Sequence, residues 1–140
     1  MDSGIDSQLP FKDLLEQCRD LTRAFPEYQF KLSAALAVVL GWLLTSSSAG
    51  DFIARHPDAS RSGICVIMAS IVAGHLGWVF RHVRRADACH AELKRAAHGL
   101  GIQAPALLES LRLDPFLPWS YVLLTVLICA ANITIVFLHA

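Results

Sequence analysis

Charged residues are scarce in this chain and are missing from three long stretches. Lys, Arg, Asp and Glu make up 17% of the 140 residues, whereas about 25% is usual in a soluble domain. The uncharged stretches are residues 32–50, 62–80 and 115–140, which are 19, 19 and 26 residues long. An α-helix needs roughly 20 residues to cross the hydrocarbon core of a bilayer. The sequence therefore predicts an all-α polytopic membrane protein with three transmembrane helices. It disfavours a soluble bundle, because helices that are apolar all round would need amphipathic partners.

The sequence also lacks the residue patterns of common catalytic and metal sites. Its four cysteines are scattered and form no C-x-x-C pair, so neither a zinc site nor a disulfide framework is indicated. No serine–histidine or paired-carboxylate arrangement stands out, and we expect no enzyme activity and no cofactor. The net charge of zero gives no indication of nucleic-acid binding. One cluster contains metal-ligand residue types, but its spacing repeats no known site and is typical of a solvated helix face: Cys89, His90, Glu92 and His98.

The pattern of apolar residues divides one membrane domain into five segments. The opening sequence MDSGIDSQLPFKDLLEQC is acidic and has no apolar core before a small-residue cleavage site, so we expect no signal peptide. Apolar residues then recur at helical spacing up to Pro26, which we expect to break the first helix. The segments are an amphipathic helix at 9–25, a first transmembrane helix at 29–49, a second at 62–82, a cytoplasmic helical connection at 83–115 and a third transmembrane helix at 117–138.

Turn signals predict the helix boundaries between the spans. Ser48, with Asp51 three residues on, resembles a capping box, so a short amphipathic helix is expected before Pro57. The second span should continue as a helix into polar sequence and end near residues 99–101, where two glycines occur. A second short helix is expected with Pro105 in its first turn. Its apolar face consists of Leu107, Leu108 and Leu111.

The distribution of lysine and arginine predicts the orientation of the chain in the membrane. Ten of the 12 basic residues lie in the N-terminal arm and the second connection, and the other two lie in the first connection. We therefore expect the N-terminus and the long connection in the cytoplasm, and the C-terminus outside. The basic run Arg81, Arg84 and Arg85 beside the second span contributes to this signal and is also suited to contact anionic lipid.

Small residues form a stripe along each of the first two spans. Such stripes let helix backbones approach closely, and packing of this kind drives helix association in lipid. Two interpretations are open: a tight hairpin of the two spans, which the pattern favours, or a homo-oligomer that uses one stripe. At about 100° per residue, the stripes consist of Ala34, Ala37, Gly41, Thr45 and Ser48 on the first span and Ala69, Ala73 and Gly77 on the second.

Polar side chains occur inside the second and third spans. His75 lies on the face of its span opposite the small stripe, so it is not expected in the contact between the first two spans. A buried neutral imidazole needs a partner, and we expect His75 to tie its span to the third one or to a neighbouring subunit. A proton-sensitive gate is the alternative, because histidine titrates near neutral pH. The third span carries a narrow polar line that is typical of interhelical hydrogen bonds, or of a water-filled path: Tyr121, Thr125, Cys129 and Asn132.

Two stretches carry a resemblance to known proteins. The sequence EYQFKLSAALAVVLGWLLTSSSAGDFI, followed by HLGWVFRHVRR, resembles small bacterial inner-membrane proteins of unassigned function. In those proteins a first span ends in a short amphipathic helix and a second runs into a basic cytoplasmic helix. The plan of two close spans and a cytoplasmic helix is also similar to the two-span membrane effectors of bacterial defence systems, from which the third span departs. The resemblance covers roughly the first two spans and implies the bacterial inner membrane but no site residues.

Three functional hypotheses follow from these patterns. The first is a non-enzymatic integral membrane protein, a subunit, scaffold or immunity-type protein, that contacts a second copy or another membrane protein through its helices. The second is a small oligomeric channel or pore-forming effector in which His75 or the polar line of the third span faces the lumen. The third is a haem-binding subunit, which would need a second axial histidine at the depth of His75, whereas His139 lies at the opposite surface.

Overall fold

Five helices make up the chain in the computed structural model, which describes residues 8–102 and 105–139. The described residues contain no strand. Helices α1, α3 and α5 are each long and apolar enough to cross a membrane, so the predicted all-α polytopic membrane fold is confirmed. The helices are α1 (Gln8–Thr45), α2 (Ser47–Arg55), α3 (Pro57–Gly99), α4 (Pro105–Ser110) and α5 (Phe116–His139).

The three long helices pack against one another in all three pairings and form a bundle. Along each of them the buried positions mostly recur three, four or seven residues apart, which keeps one narrow stripe of a helix facing its neighbours. The buried residues are Cys18, Phe25, Gln29, Leu36 and Leu43 on α1, Met68, His75, Val79, His82, Cys89, Leu93 and Ala97 on α3, and Pro118, Thr125, Cys129, Asn132 and Val136 on α5.

The expected break at Pro26 is wrong, because α1 runs without interruption from Gln8 to Thr45. Pro26 is exposed and lacks the N–H that would bond to the carbonyl one turn earlier. The helix packs along α3 on both sides of the proline, through Cys18 before it and Leu36 after it. These contacts hold the two halves in line, so the predicted amphipathic helix and first span form one element.

The first connection is a short capped helix, as predicted, but the cap differs. Ser46, not Ser48, is the N-cap of α2, and its side-chain oxygen accepts a hydrogen bond from the N–H of Ala49. Helix α1 therefore ends at Thr45, and Ser48 belongs to α2 rather than to the first span. Ile53 packs α2 against the end of the bundle, next to Val136 of α5.

The second connection follows the predicted order of elements. Helix α3 continues to Gly99 without a break, and Gly101 has a φ of 68°, a left-handed conformation that glycine adopts without strain. Leu108 and Leu111 pack onto the cluster around Leu93. The side chain of Leu107, part of the same predicted face, lies outside the described residues, as do residues 1–7 of the opening segment.

A disulfide joins α1 to α3 at this end of the bundle, which the scattered cysteines did not indicate. Cys18 and Cys89 are bonded, their Cα atoms lie 5.8 Å apart, and 71 positions separate them in the sequence. Both belong to the buried stripes of their helices. The pairing therefore follows from the continuous α1, which brings residue 18 alongside the extension of α3.

Candidate functional site: polar core and outward faces

The centre of the bundle contains a polar contact between α1 and α5. The side-chain amide of Gln29 donates to the hydroxyl of Thr125 at 3.1 Å, and Thr125 in turn donates to the carbonyl of Tyr121 at 3.0 Å. The same amide lies 3.0 Å from the hydroxyl of Ser33 and 3.4 Å from the Tyr121 carbonyl. Gln29 and Thr125 are both buried. From the predicted polar line of α5, the Thr125 hydroxyl and the Tyr121 carbonyl thus bond to α1 rather than to α3.

His75 is buried, with 2% of its surface exposed, but it does not make the predicted bond. Neither ring nitrogen has a hydrogen-bond partner among the described residues. The ring stacks on Tyr28 of α1 at a centroid distance of 6.0 Å and on Trp78 at 6.5 Å. The expectation that His75 faces away from the first span is therefore wrong. It was based on the small stripe forming the contact between α1 and α3, whereas the opposite face of α3 forms it.

Asn132 adds a second buried polar group on α5, seven residues beyond Thr125. Its amide nitrogen donates to the Ile128 carbonyl of its own helix at 2.9 Å. Its side-chain oxygen, like that of Gln29, has no partner within the described part of the chain. Thr125 and Asn132 lie about 10 Å apart along the helix axis. They are therefore separate polar positions on one face rather than one connected network.

Aromatic rings pack next to the polar contact, on the side toward the N-terminus of α1. Phe25 is fully buried and lies against Trp78, His82 and Tyr121, with centroid distances of 5.3 to 5.5 Å. The ring of His82 also meets the Leu21 carbonyl through Nε2 at 2.7 Å. Tyr121 therefore contributes its ring to this cluster and its carbonyl to the hydrogen bonds of Thr125 and Gln29. This cluster joins all three long helices at one level.

Of the buried residues that matter here, Gln29 was not singled out by the sequence reasoning. Gln29 stands at the predicted start of the first span. A signal was available, because Cys18, Phe25, Gln29, Leu36 and Leu43 keep the three-and-four spacing of a single buried stripe. Because a break was expected at Pro26, the residues before and after it were not assigned to one helix, and their common spacing was not recognised.

The small stripes do not pack against each other within the chain. Ala34, Ala37 and Thr45 are exposed on α1, and Gly41 is half-buried. The same holds on α3, where Ala69 and Ala73 are exposed and Gly77 is half-buried. A Cβ atom added to Gly41 or Gly77 would meet no atom within 4 Å. The hairpin interpretation of the stripes is therefore wrong, and α1 and α3 meet instead through larger side chains such as Leu36 and Met68.

The chemistry that these residues offer is packing and hydrogen bonding. In the described ranges, no three histidine, cysteine, aspartate or glutamate side chains converge in a way that would hold a metal ion. Cys89 of the sequence cluster is in the disulfide, while His90, Glu92 and His98 follow it along α3.

Comparisons with known proteins do not place the chain in a family. No protein-family model matches it, and neither a curated protein nor a solved structure is significantly similar to it. Its function is therefore argued from the bundle itself.

Proposed function

We propose that this chain is a non-enzymatic membrane subunit that acts through helix–helix contacts with a second copy or with another membrane protein. The observation that carries this proposal is the outward position of both small-residue stripes. The three-helix bundle is complete without them, because its buried stripes consist mainly of larger side chains. The small-residue faces of α1 and α3, which permit close backbone approach, therefore remain available for contact with a helix of another protein.

The physical argument rests on what drives association in lipid. Lipid tails are as apolar as leucine, so a helix gains little by burying leucine against another helix, and close packing of small residues contributes more. Ala34, Ala37 and Gly41 lie roughly opposite the buried stripe of α1 at about 100° per residue. Ala69 and Ala73 lie roughly opposite the buried stripe of α3. A partner helix can reach either face without disturbing the bundle.

Leucine substitutions in the two stripes test this proposal. The wild-type protein, labelled in separate batches with a donor and an acceptor dye, is mixed in lipid vesicles, and energy transfer reports association. We expect Gly41→Leu or Ala73→Leu to reduce the transfer, because leucine keeps a neighbouring backbone at a distance. Neither change meets a crowded site within the chain, since the Cβ of Gly41 has free space and Ala73 is exposed.

Matched controls place the same side chain elsewhere on the same helices. Val39→Leu and Ile67→Leu lie well away from the stripes, and both positions are exposed. The control variants should retain the wild-type transfer. Equal transfer in both stripe variants and both controls would contradict a role of the stripes in self-association.

The proposed location and orientation follow from the sequence. The resemblance to bacterial inner-membrane proteins and the excess of basic residues in two segments support an inner-membrane protein with a cytoplasmic N-terminus. Nine of those ten basic residues lie within residues 12–23 of α1, within residues 81–95 of α3, or at Arg112 between α3 and α5, and Lys31 lies just past the middle of α1. The nine share the end of the bundle that carries the disulfide, which supports the proposed orientation.

A pore with His75 as a pH-sensitive group is the second candidate function. The buried side-chain oxygens of Gln29 and Asn132 and both His75 ring nitrogens, none of which has a partner among the described residues, favour it. A lumen between copies, however, would need these residues on the outside of one copy, and they lie inside its bundle. The candidate is therefore limited to proton movement through a single bundle, which has less support than the packing role.

A further inference from the structure

A cavity of about 750 Å³ opens between α3 and the start of α5. Its size falls in the range of about 300 to 1,000 Å³ that small-molecule sites occupy. The buried side chains of Val79 and Leu113 form part of its wall, and Leu76 and Gly77 line its inner end. From Leu76 to Asp87 the cavity follows α3 for about 16 Å, at about 1.5 Å per residue.

The mouth of this cavity is charged and carries both basic and acidic groups. Arg84, Asp87 and Arg112 line it and are exposed. The guanidinium of Arg84 lies 4.2 Å from the centre of the Phe80 ring, and Arg84 forms no ion pair with any described residue. Arg112 is 3.2 Å from a carboxylate oxygen of Glu109, in an exposed pair that solvent screens. Arg84 is therefore the arginine at the mouth that pairs with no carboxylate of the described residues.

Two exposed aromatic rings border the cavity between its charged mouth and its apolar inner end. Trp119 and Phe80 line it, and 62% and 56% of their surfaces are exposed. Tryptophan is enriched at the level of lipid headgroups, because its ring is apolar and its N–H is polar. The order along the cavity is thus cation, aromatic ring and apolar wall, which is the order of groups that an anionic lipid would meet.

We propose that this cavity binds one anionic phospholipid, with the headgroup phosphate on Arg84 and Arg112 and an acyl chain along Val79 toward Gly77. The Arg84 guanidinium, which pairs with no described carboxylate, can bind an anionic phosphate, although Asp87 places an opposing charge on the same rim. The apolar inner end accepts an acyl chain, so a free phosphate would satisfy only half of the site. This lipid site does not depend on the proposed association of copies. Its residues other than Gly77 lie outside the two small stripes, and Gly77 is left unchanged in both experiments.

Brominated lipids test the site, because bromine on an acyl chain quenches a tryptophan that it touches. The wild-type protein and Trp119→Phe are placed in phosphatidylcholine vesicles that contain increasing fractions of brominated phosphatidylglycerol or brominated phosphatidylcholine. The difference between the two proteins isolates the signal of Trp119 from those of Trp42 and Trp78. We expect brominated phosphatidylglycerol to quench Trp119 at a lower fraction than brominated phosphatidylcholine.

The arginine variants separate a built site from general attraction to a basic surface. Arg84→Gln should weaken the preference for phosphatidylglycerol about fivefold, the effect of one arginine near an anionic headgroup. Arg112→Gln should weaken it less, because Glu109 already offsets its charge. The control Arg95→Gln removes the same charge from an exposed position of α3 that does not line the cavity, and it should retain the preference.

Three results would overturn the proposal. Equal quenching by the two brominated lipids would show no headgroup selection. An equal loss in Arg84→Gln and Arg95→Gln would show attraction to the surface as a whole. Displacement of the lipid by soluble glycerol phosphate would show an anion site that does not use the acyl chain.

Discussion

The hydrogen bond between Gln29 and Thr125 should couple α1 to α5 by a measurable free energy. The two atoms are 3.1 Å apart, within the 2.7 to 3.2 Å range of good N–H···O bonds, and both side chains are buried. Side-chain hydrogen bonds between transmembrane helices contribute about 0.6 kcal/mol on average and about 1.7 kcal/mol at most. We therefore expect a coupling energy of about 0.6 to 1.7 kcal/mol for this pair.

A double-mutant cycle with Gln29→Met and Thr125→Val measures this coupling. Both substitutions roughly keep the volume and shape of the side chain while removing its hydrogen-bonding groups. Thr125→Val should lower the free energy of unfolding more than Gln29→Met, because methionine also removes the buried Gln29 oxygen that has no partner among the described residues. The cycle cancels such individual effects and leaves the pairwise energy.

Reversible unfolding in mixed micelles with increasing dodecyl sulfate, followed by the circular dichroism of the helices, supplies the four free energies. Thr125→Ser restores a hydroxyl and should restore the coupling to Gln29. Thr134→Val is the matched control on α5, because Thr134 is exposed and bonds only within its own helix. A coupling energy indistinguishable from zero would refute the claim that this polar contact joins the two helices.

Three further predictions concern the aromatic cluster, the disulfide and the buried histidine. Phe25→Ala should lower the free energy of unfolding by about 3 to 5 kcal/mol, as loss of a packed core ring does. The control Phe30→Ala should change it by less than about 0.5 kcal/mol, because Phe30 is 75% exposed. Equal effects of the two substitutions in the same unfolding assay would contradict the buried stripe of α1. Reduction should lower the melting temperature of the wild type but not that of Cys18→Ala, with an upper bound of about 4 kcal/mol for a loop of this length. The proposed orientation places Cys18 and Cys89 in a reducing compartment, and both are buried, so we expect both to be alkylated when cells are lysed directly into denaturant that contains the reagent; protection of both under those conditions would contradict the orientation. Vesicles containing the wild type or His75→Ala should show no ion flux above that of empty vesicles at acidic or neutral pH, and flux that depends on His75 would support the pore instead.

The all-α membrane fold could be predicted from the sequence because the bilayer imposes a simple length rule. Three uncharged stretches of sufficient length correspond to α1, α3 and α5. The continuation of α3 to Gly99 was also predictable, since no proline interrupts it and glycines follow it. Span length is a local property that the sequence determines, whereas the break expected at Pro26 is absent because packing against α3 holds α1 in line.

The packing of the helices could not be predicted in the same way. The small stripes indicated a close contact, but a stripe does not specify whether its neighbour is another helix of the chain, a second copy or lipid. The assumption of an internal contact placed His75 on the wrong side of α3. Gln29 was not recognised as the partner of Thr125 for a related reason. With a break expected at Pro26, Gln29 was not assigned to the same buried stripe as Cys18 and Phe25.

Site-specific photocrosslinking tests the central claim most directly, namely that the outward face of α3 contacts another protein. A photoreactive residue is introduced at Ala73 in the stripe and, as the control, at Ile67, which is exposed on another face of the same helix. After illumination of intact cells, the proposed function predicts a defined crosslinked protein product from position 73, either a dimer or a complex with one other membrane protein, and mainly lipid adducts from position 67. Lipid adducts alone from both positions would contradict it.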